Sequence, residues 1–232
     1  IIVTGGDGYM GNELIKKLFY LNYNITSIDI NYYYDCYLAS ESKNKKINFK
    51  KKDIRLIDQK DIDGNDYIVH LAALSNDPLG EINSEVTYDI NYRAAVNIAK
   101  IAKKSGIKRF IFISSQSAYG ISDTDIELDE EAPKNPVTAY ADSKLLAEKE
   151  ILNLNDKDFN VLILRPSTIF GASNKLRCDI VFNNLVACGY TLNKIEIHSD
   201  GSPWRPVLHI KDLCNAIVAG LNCPLNLISG EI

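Results

Sequence analysis

The chain has 232 residues, 46% of them hydrophobic, and a formal net charge of −4 with both signs spread along its length. That is enough for one large domain, or a domain with a smaller partner, built on a substantial core. The charge balance argues against a nucleic-acid partner, and no apolar run reaches the roughly 18 residues that a membrane span requires.

In chain order, the apolar run from Ile1 to Thr4 reads as a strand. It leads into Gly5, Gly8 and Gly11 and then into a helical pattern in Leu14, Ile15, Leu18 and Phe19. Strand, glycine loop and helix in that order form a dinucleotide-binding fingerprint. Gly5 permits the tight turn, Gly8 lets the backbone approach a pyrophosphate, and Gly11 lets helix and strand pack closely. The free N–H groups at the helix start then face the phosphate charge. Ile25 to Ile30 is a short strand carrying Asp29 at its end. A carboxylate there accepts both hydroxyls of an adenosine ribose and repels a 2′-phosphate, which favours NAD over NADP. A third strand, Ile47 to Lys50, leads to Asp53-Ile54-Arg55, with Asp53 placed to hold the adenine amine. The basic cluster of Lys43, Lys45, Lys46, Lys50, Lys51 and Lys52 reads as a solvated loop and strand edge.

Tyr67 to Ala72 is a buried strand. Ser75-Asn76-Asp77-Pro78 follows it, where Ser75 and Asn76 could touch nicotinamide or sugar, or simply form an Asx turn. A helix with Ala95, Ile98, Ala99 and Ala102 at helical spacing comes next. The strand from Arg109 to Ser114 delivers Ser114 and Ser115 at its C-terminal end, where ligands bind in open α/β sheets. A helix from about Ala139 to Leu154 carries Tyr140 and Lys144 one turn apart on one face. A free phenol, with a pKa of about 10, is a poor proton carrier at neutral pH. A lysine ammonium one turn away shifts it toward working pH. Val161 to Leu164 is the last strand of the series. This rhythm predicts an α/β fold: a Rossmann-like, doubly wound parallel sheet with helices on both faces. Residues 1–166 form its dinucleotide-binding domain. After Arg165-Pro166 the rhythm loosens, and 167–232 reads as a smaller, irregular substrate-binding part interleaved with the first.

Cys36, Cys178, Cys188, Cys214 and Cys223 form no CxxC pair, and no His stands at ligand spacing. They read as reduced, mostly buried thiols of a cytoplasmic protein without a metal site. No signal peptide precedes the first strand. A strand at residue one, with no initial Met, suggests a chain that continues upstream. Asn226 to Ile232 reads as a strand and turn leading further on.

The ordered motifs Thr-Gly-x-x-Gly-x-x-Gly, Asp-Ile-Arg, His-Leu-Ala-Ala, Ser-Ser-x-x-x-Tyr-Gly, Tyr-x-x-x-Lys and Arg-Pro-x-x-x-x-Gly span essentially the whole chain. In that order they resemble the extended short-chain dehydrogenase/reductases and, more narrowly, the NAD-dependent nucleotide-sugar epimerase/dehydratase family. The resemblance implies a catalytic set of Ser115, Tyr140 and Lys144. Tyr140 is then base and acid, Lys144 holds the nicotinamide ribose and tunes Tyr140, and Ser115 binds the sugar hydroxyl. It extends the NAD contacts from Gly5, Gly8, Gly11, Asp29 and Asp53 to Tyr9, Met10, Ile30, Ile54, Leu71, Ala72, Ala73, Asn91, Ser114, Arg165 and Pro166. Thr168, Asn184 and Arg205 resemble the family's substrate half. Arg205 is the candidate diphosphate clamp, and Asn174 and Arg177 line the sugar or nucleotide pocket. His209 reads as structural.

The same resemblance narrows the reaction. Nucleotide-sugar 4,6-dehydratases of this family carry an Asp-Glu pair directly after the catalytic Ser/Thr, whereas this chain has Gln116 and Ser117, which cannot protonate a leaving hydroxyl. The expected activity is thus a nucleotide-sugar epimerase with NAD recycled in place. A net dehydrogenase or 4-ketoreductase on the same substrates is the alternative, and a catalytically idle NAD(H)-binding regulatory protein the third. The spread of Leu145, Leu146, Ile151 and Leu152 over more than one helix face, together with the resemblance, leads us to expect a homodimer.

Overall fold

A computed structural model describes residues 1–33, 35, 47–75, 77–121, 127–197, 199–201 and 204–232. Asn76 lies outside the described residues, as do Cys36, Lys43, Lys45 and Lys46. The first half contains β1 (Ile2–Thr4), α1 (Tyr9–Tyr20), β2 (Ile25–Asp29), β3 (Ile47–Lys51), the short α2 (Gln59–Ile62), β4 (Tyr67–His70), α3 (Asp77–Ile82) and α4 (Ser84–Tyr88). A π-helical segment, Asp89–Ala94, then runs into α5 (Ala95–Lys104). The second half contains β5 (Arg109–Ile113), α6 (Ala139–Leu152), β6 (Asn160–Leu164), β7 (Thr168–Phe170), α7 (Val181–Leu192), β8 (Val207–His209), α8 (Ile210–Asn222) and α9 (Leu225–Ile228).

Six strands form one sheet in the order β3-β2-β1-β4-β5-β6, every pair parallel. The chain winds outward from β1 to β3, then returns to the middle and winds the other way from β4 to β6. The order therefore reverses between β1 and β4, and a crevice opens beyond their C-terminal ends. This is the Rossmann-like arrangement that the sequence rhythm predicts.

Strand alternation builds the layers. Ile2, Ile68, Phe110, Phe112, Val161 and Ile163 face the helices α5 and α6, through Ile98, Ala99, Ala102, Ala147 and Ile151. Their neighbours Val3, Val69, Ile111 and Leu162 face the other way, onto Leu14 and Leu18 of α1 and Ile210, Leu213, Ile217 and Leu221 of α8. A side-chain period of two thus covers both faces from one set of strands. Helix α8 follows the small parallel pair β7-β8, yet it packs against the large sheet beside α1.

Edge strand β3 carries Phe49 half-exposed and Lys51 in solvent, while Lys50 and Lys52 reach Asp61 at 3.5 and 2.5 Å. Charged edges of this kind discourage pairing with another strand. The C-terminus differs from the expectation of a strand from Asn226. Leu225–Ile228 is a helical turn begun at Pro224, and extended pairing is confined to a bridge between Glu231 and Leu162. Pro224 presets the backbone for a turn rather than a ladder. No helix among the described residues is long and apolar enough to cross a membrane.

Phe110 is fully buried, with its ring centroid 6.0 Å from that of Phe159 and 6.1 Å from that of His70. Phe110→Ala is expected to destabilise the fold by about 3–5 kcal/mol. The midpoint of urea unfolding measures this, with the denaturant slope unchanged.

Candidate active site

The glycine loop sits at the reversal of strand order and is fixed there by contact with β4. Gly5 has φ +73°, and a Cβ at this position would stand 2.7 Å from the Ala72 nitrogen. A Cβ at Gly11 would stand 2.1 Å from the Gly5 oxygen. Both positions therefore exclude any side chain. The Thr4 hydroxyl bonds the His70 Nδ1 at 2.8 Å across the same two strands. Burial holds that imidazole's pKa down at about 3, with Lys144 adding to the effect, so His70 is a neutral core residue. Helix α1 begins at Gly8 with no side-chain cap, leaving its first N–H groups for an anion. At Gly8 the nearest obstacle to a Cβ is the Gly5 oxygen, at 3.3 Å. The loop thus has the open cradle that a dinucleotide pyrophosphate needs, and these residues fit NAD.

Asp29 stands at the end of β2 beside this cradle. Its Oδ2 accepts the Asp7 N–H at 3.0 Å and its Oδ1 the Asn31 N–H at 2.8 Å. Burial raises the carboxyl pKa, and these two N–H donors oppose the rise. Ile30 follows, half-buried. Asp53 is engaged by Arg55 at 2.6 Å, and Ile54 is buried in the core. Leu71, Ala72 and Ala73 form the wall opposite the glycine loop, with the Leu71 N–H donating to the Thr4 oxygen at 3.2 Å. Asn91, fully buried, shapes that wall by bonding both the N–H and the carbonyl of Leu74, at 2.8 and 3.0 Å. Tyr9 and Met10 pack on the α1 side of the core.

Strand β5 and helix α6 bring the three catalytic candidates to the same end of the sheet. Ser115 ends the strand and caps a short 3₁₀ turn, Gln116–Tyr119. Its Oγ accepts the Ser117 N–H at 3.1 Å and lies 3.0 Å from the Ser117 Oγ. The preceding Ser114 Oγ is buried and has no hydrogen-bond partner among the described residues. Thr138 caps α6 by accepting the Ala141 N–H at 3.2 Å, which sets Tyr140 in the first turn. Lys144 lies one turn on, 2% exposed. Its Nζ donates to the Ile113 oxygen at 2.8 Å and sits 4.7 Å above the Phe112 ring. Burial lowers the Lys144 pKa to about 7, against a smaller opposing pull from Glu148.

Arg165 has a different place from the one its motif suggested. Its guanidinium pairs with Glu148, at 2.6 Å, and donates to the Tyr119 hydroxyl, at 3.0 Å. Pro166 offers its carbonyl to the Gln116 N–H at 3.1 Å, fixing the turn behind Ser115.

On the substrate side, the structure brings Arg177 and Ser75 together, the guanidinium donating to the Ser75 Oγ at 2.8 Å. Burial opposes the charge on Arg177, but Asp179 beside it, with Tyr140 and Tyr33 acting in the same direction, together more than offset this. Arg177 is therefore within electrostatic reach of the candidate proton carrier. Thr168 begins β7, and Asn174 is half-buried in the following loop. Asn184 is exposed on α7, with its Nδ2 on the Cys178 oxygen at 2.9 Å. Arg205 is exposed ahead of β8. His209 caps α8 through Nδ1, 3.2 Å from the Lys211 N–H.

Three further residues organise the site. Asn183 is buried and joins the Gly171 N–H, the Tyr9 hydroxyl and the Arg177 carbonyl, at 3.1, 3.3 and 3.0 Å. Ser173 donates to the Tyr9 carbonyl at 3.1 Å, and Lys175 reaches Asp7 at 3.2 Å. Residues 171–183 thereby lie strapped across the glycine loop. In sequence Asn183, beside Asn184, resembles part of the family's substrate half, and its role in joining Tyr9 to Gly171 and Arg177 is set by the fold.

The family model described as "NAD dependent epimerase/dehydratase family" matches residues 1–232. Over 262 residues the chain is 28% identical to the bifunctional protein GAL10 of Pachysolen tannophilus, covering 97% of this chain and 37% of that protein. Over 231 residues it is 27% identical to the dTDP-D-glucose 4,6-dehydratase of Mus musculus, covering 95% and 64% respectively. The chain thus spans less than two thirds of either relative. Among solved structures, it superposes with a TM-score of 0.84 on UDP-glucuronic acid 4-epimerase from Bacillus cereus in complex with UDP-glucuronic acid and NAD. That match is 24% identical and covers 99% of this chain and 75% of the other. At that identity the likeness is one of fold.

The buried Lys144 generates a test in the cofactor-free protein. Its folded pKa, about 7, lies below its ordinary value of 10.5. Below the lower value, folded and unfolded chains both hold the proton, and the fold bears the whole cost of a buried ammonium. As pH rises between the two values the folded chain has shed the proton, and that cost declines. Lys144→Met is therefore expected to stabilise the protein more at about pH 6 than at about pH 9, by roughly 3 kcal/mol. Thermal unfolding at the two pH values measures the difference.

Proposed function

Because the chain belongs to the NAD-dependent epimerase/dehydratase family, we propose that it is a nucleotide-sugar epimerase. It oxidises one sugar hydroxyl transiently and reduces the ketone again from the opposite face. When bound, NAD supplies the two-electron oxidation and its reversal. The Tyr140 phenol takes the proton of the sugar hydroxyl and later returns one. The Lys144 ammonium, one turn below on α6, favours the phenolate that this requires. The Ser115 hydroxyl donates to the reacting sugar oxygen and holds it beside Tyr140. Asp29 accepts the adenosine ribose hydroxyls, and the N-terminus of α1 meets the pyrophosphate.

The turn after Ser115 carries this reading. Its first two side chains are Gln116 and Ser117, and Ser117 is a hydroxyl partner of Ser115 at 3.0 Å. Neither group can protonate a departing hydroxyl near neutral pH, so the turn supports oxidation and reduction at one carbon rather than loss of water. A homodimer belongs to the same proposal. Helix α6 has apolar residues on several faces, with Leu146 at 36% exposure, and light scattering at twice the chain mass would support it.

The protein is to be incubated with UDP-, GDP- and dTDP-sugars and the products separated and weighed. An epimerase yields a separable product of unchanged mass with no build-up of reduced nicotinamide. A product lighter by one water overturns the reading in favour of dehydration, and stoichiometric reduction of added NAD overturns it in favour of a dehydrogenase. Tyr140→Phe is expected to lower kcat by about 10²- to 10⁴-fold, with NAD still bound. Undiminished turnover in that variant would mean that Tyr140 is not the proton carrier.

A further inference from the structure

Helix α6 carries a second inward charge one turn beyond Lys144. Glu148 is 2% exposed, and its carboxylate is gripped from the side by Arg165, just past the end of β6. The Arg165 Nε stands 3.0 and 3.1 Å from the two carboxylate oxygens, and its Nη2 stands 2.6 Å from Oε2. The rest of the guanidinium is committed as well. Its Nη1 donates to the Tyr119 hydroxyl at 3.0 Å and to the Glu130 carbonyl at 3.2 Å.

Residues four apart on a helix lie within reach of one another, and an ammonium and a carboxylate at that spacing can pair. Lys144 and Glu148 do not. Lys144 donates instead to the Ile113 carbonyl and rests over the Phe112 ring. Burial lowers its pKa to about 7, and Glu148 opposes this only from a distance. His70, which faces Lys144 from β4, is neutral. The ionisable groups that meet α6 from the other elements have partners of their own. Glu81 of α3 accepts the Ala139 N–H at 2.7 Å, and Tyr88 of α4 donates to Asp142 at 2.7 Å. Arg93 takes Glu85 and Asp89, while Tyr92 and Lys100 both meet Glu150.

We propose that Arg165 is a positioning residue for Lys144: by taking both oxygens of the Glu148 carboxylate, it keeps that carboxylate from pairing with the Lys144 ammonium. The ammonium charge is then left to act on Tyr140. The part played at Tyr140 rests on the proton-carrier reading given above, whereas the effect on Lys144 does not. Without Arg165, Glu148 is a buried carboxylate stripped of its cation, and Lys144 is the ammonium one turn away that can replace it. Without Glu148, Lys144 loses a favourable charge and a buried guanidinium stands uncompensated in its place, which disfavours the ammonium. The two losses therefore move Lys144 in opposite directions. A pair that merely tied β6 to α6 would, on either loss, admit water and bring Lys144 up toward its ordinary value.

The test is an NMR titration of the cofactor-free chain labelled at lysine Cε, with the Lys144 signal identified by its absence from Lys144→Met. Exposed lysines titrate at about 10.4, and Lys144 is expected at about 7. Arg165→Met is expected to raise the Lys144 midpoint by at least about one pH unit, and Glu148→Gln to lower it. Arg165→Met/Glu148→Gln, which removes both charges, is expected within about half a pH unit of the unaltered chain. If Arg165→Met does not fold, the double variant set against Glu148→Gln decides, and the double variant is expected to have the higher midpoint. A rise in Glu148→Gln, or no rise on loss of Arg165 in either comparison, overturns the proposal. So does an ordinary lysine midpoint for Lys144 in the unaltered chain. In turnover, Arg165→Met is expected to carry the acid limb of kcat against pH upward, because a paired Lys144 favours the Tyr140 phenolate less. A loss uniform across pH would mean that Arg165 acts on the fold alone. Absence of turnover in the unaltered chain would defeat the epimerase reading and leave the NMR result standing.

Discussion

The close parallel approach of β1 and β4 governs the rest of the molecule. At their C-terminal ends the backbone of Gly5 passes so near Ala72 that no side chain fits between them. The Thr4 hydroxyl and the His70 imidazole lock the same two strands one residue earlier. That imidazole is stacked beside Phe110 and Phe112, so its neutrality follows from a dry, apolar site. The start of α1 and the wall at Leu71 to Ala73 project from this seam, and Asp29 stands one strand away.

Charge inside the fold is managed by local pairing. Along α6 the residues at 144 and 148 both point inward, and the sheet side of this helix is accordingly polar at one end. Glu148 takes Arg165 there in a bidentate arrangement, while Lys144 rests on a carbonyl oxygen and an aromatic face, with Glu148 acting on it only at a distance. The result is a lysine whose charge is marginal near neutral pH until an anionic or phenolate partner arrives.

The six strands of the large sheet were legible as short apolar runs, and α1, α5 and the shared face of Tyr140 and Lys144 because 3.6-residue spacing fixes which side chains lie together; β7 and β8, in the loosened stretch after Pro166, were not. The alternation of strands and helices implied a doubly wound parallel sheet. Contacts between segments far apart in the chain were not legible. Asn183 and Lys175 act on Tyr9 and Asp7, more than 160 positions away, and nothing local marks those contacts. Arg165 was misleading for a related reason. Its motif places the residue at the right end of β6, but its side chain is drawn to a carboxylate on the neighbouring helix that spacing alone does not identify. At the C-terminus, the alternating Asn226-Leu227-Ile228 looked like a strand, and Pro224 made it a helical turn.

Helix α8 bears on how the chain reaches this state during synthesis. Its residues 210–222 cover Val3, Val69, Ile111 and Leu162 on the α1 side of the sheet, yet they leave the ribosome after every strand of that sheet. Until they arrive, the middle of one face lies open to water, and the nascent chain has more apolar surface than it can bury. That face of the sheet is covered only once residues 210–222 have been made. A chain cut after residue 166 would retain the cofactor motifs without the layer that keeps their sheet soluble.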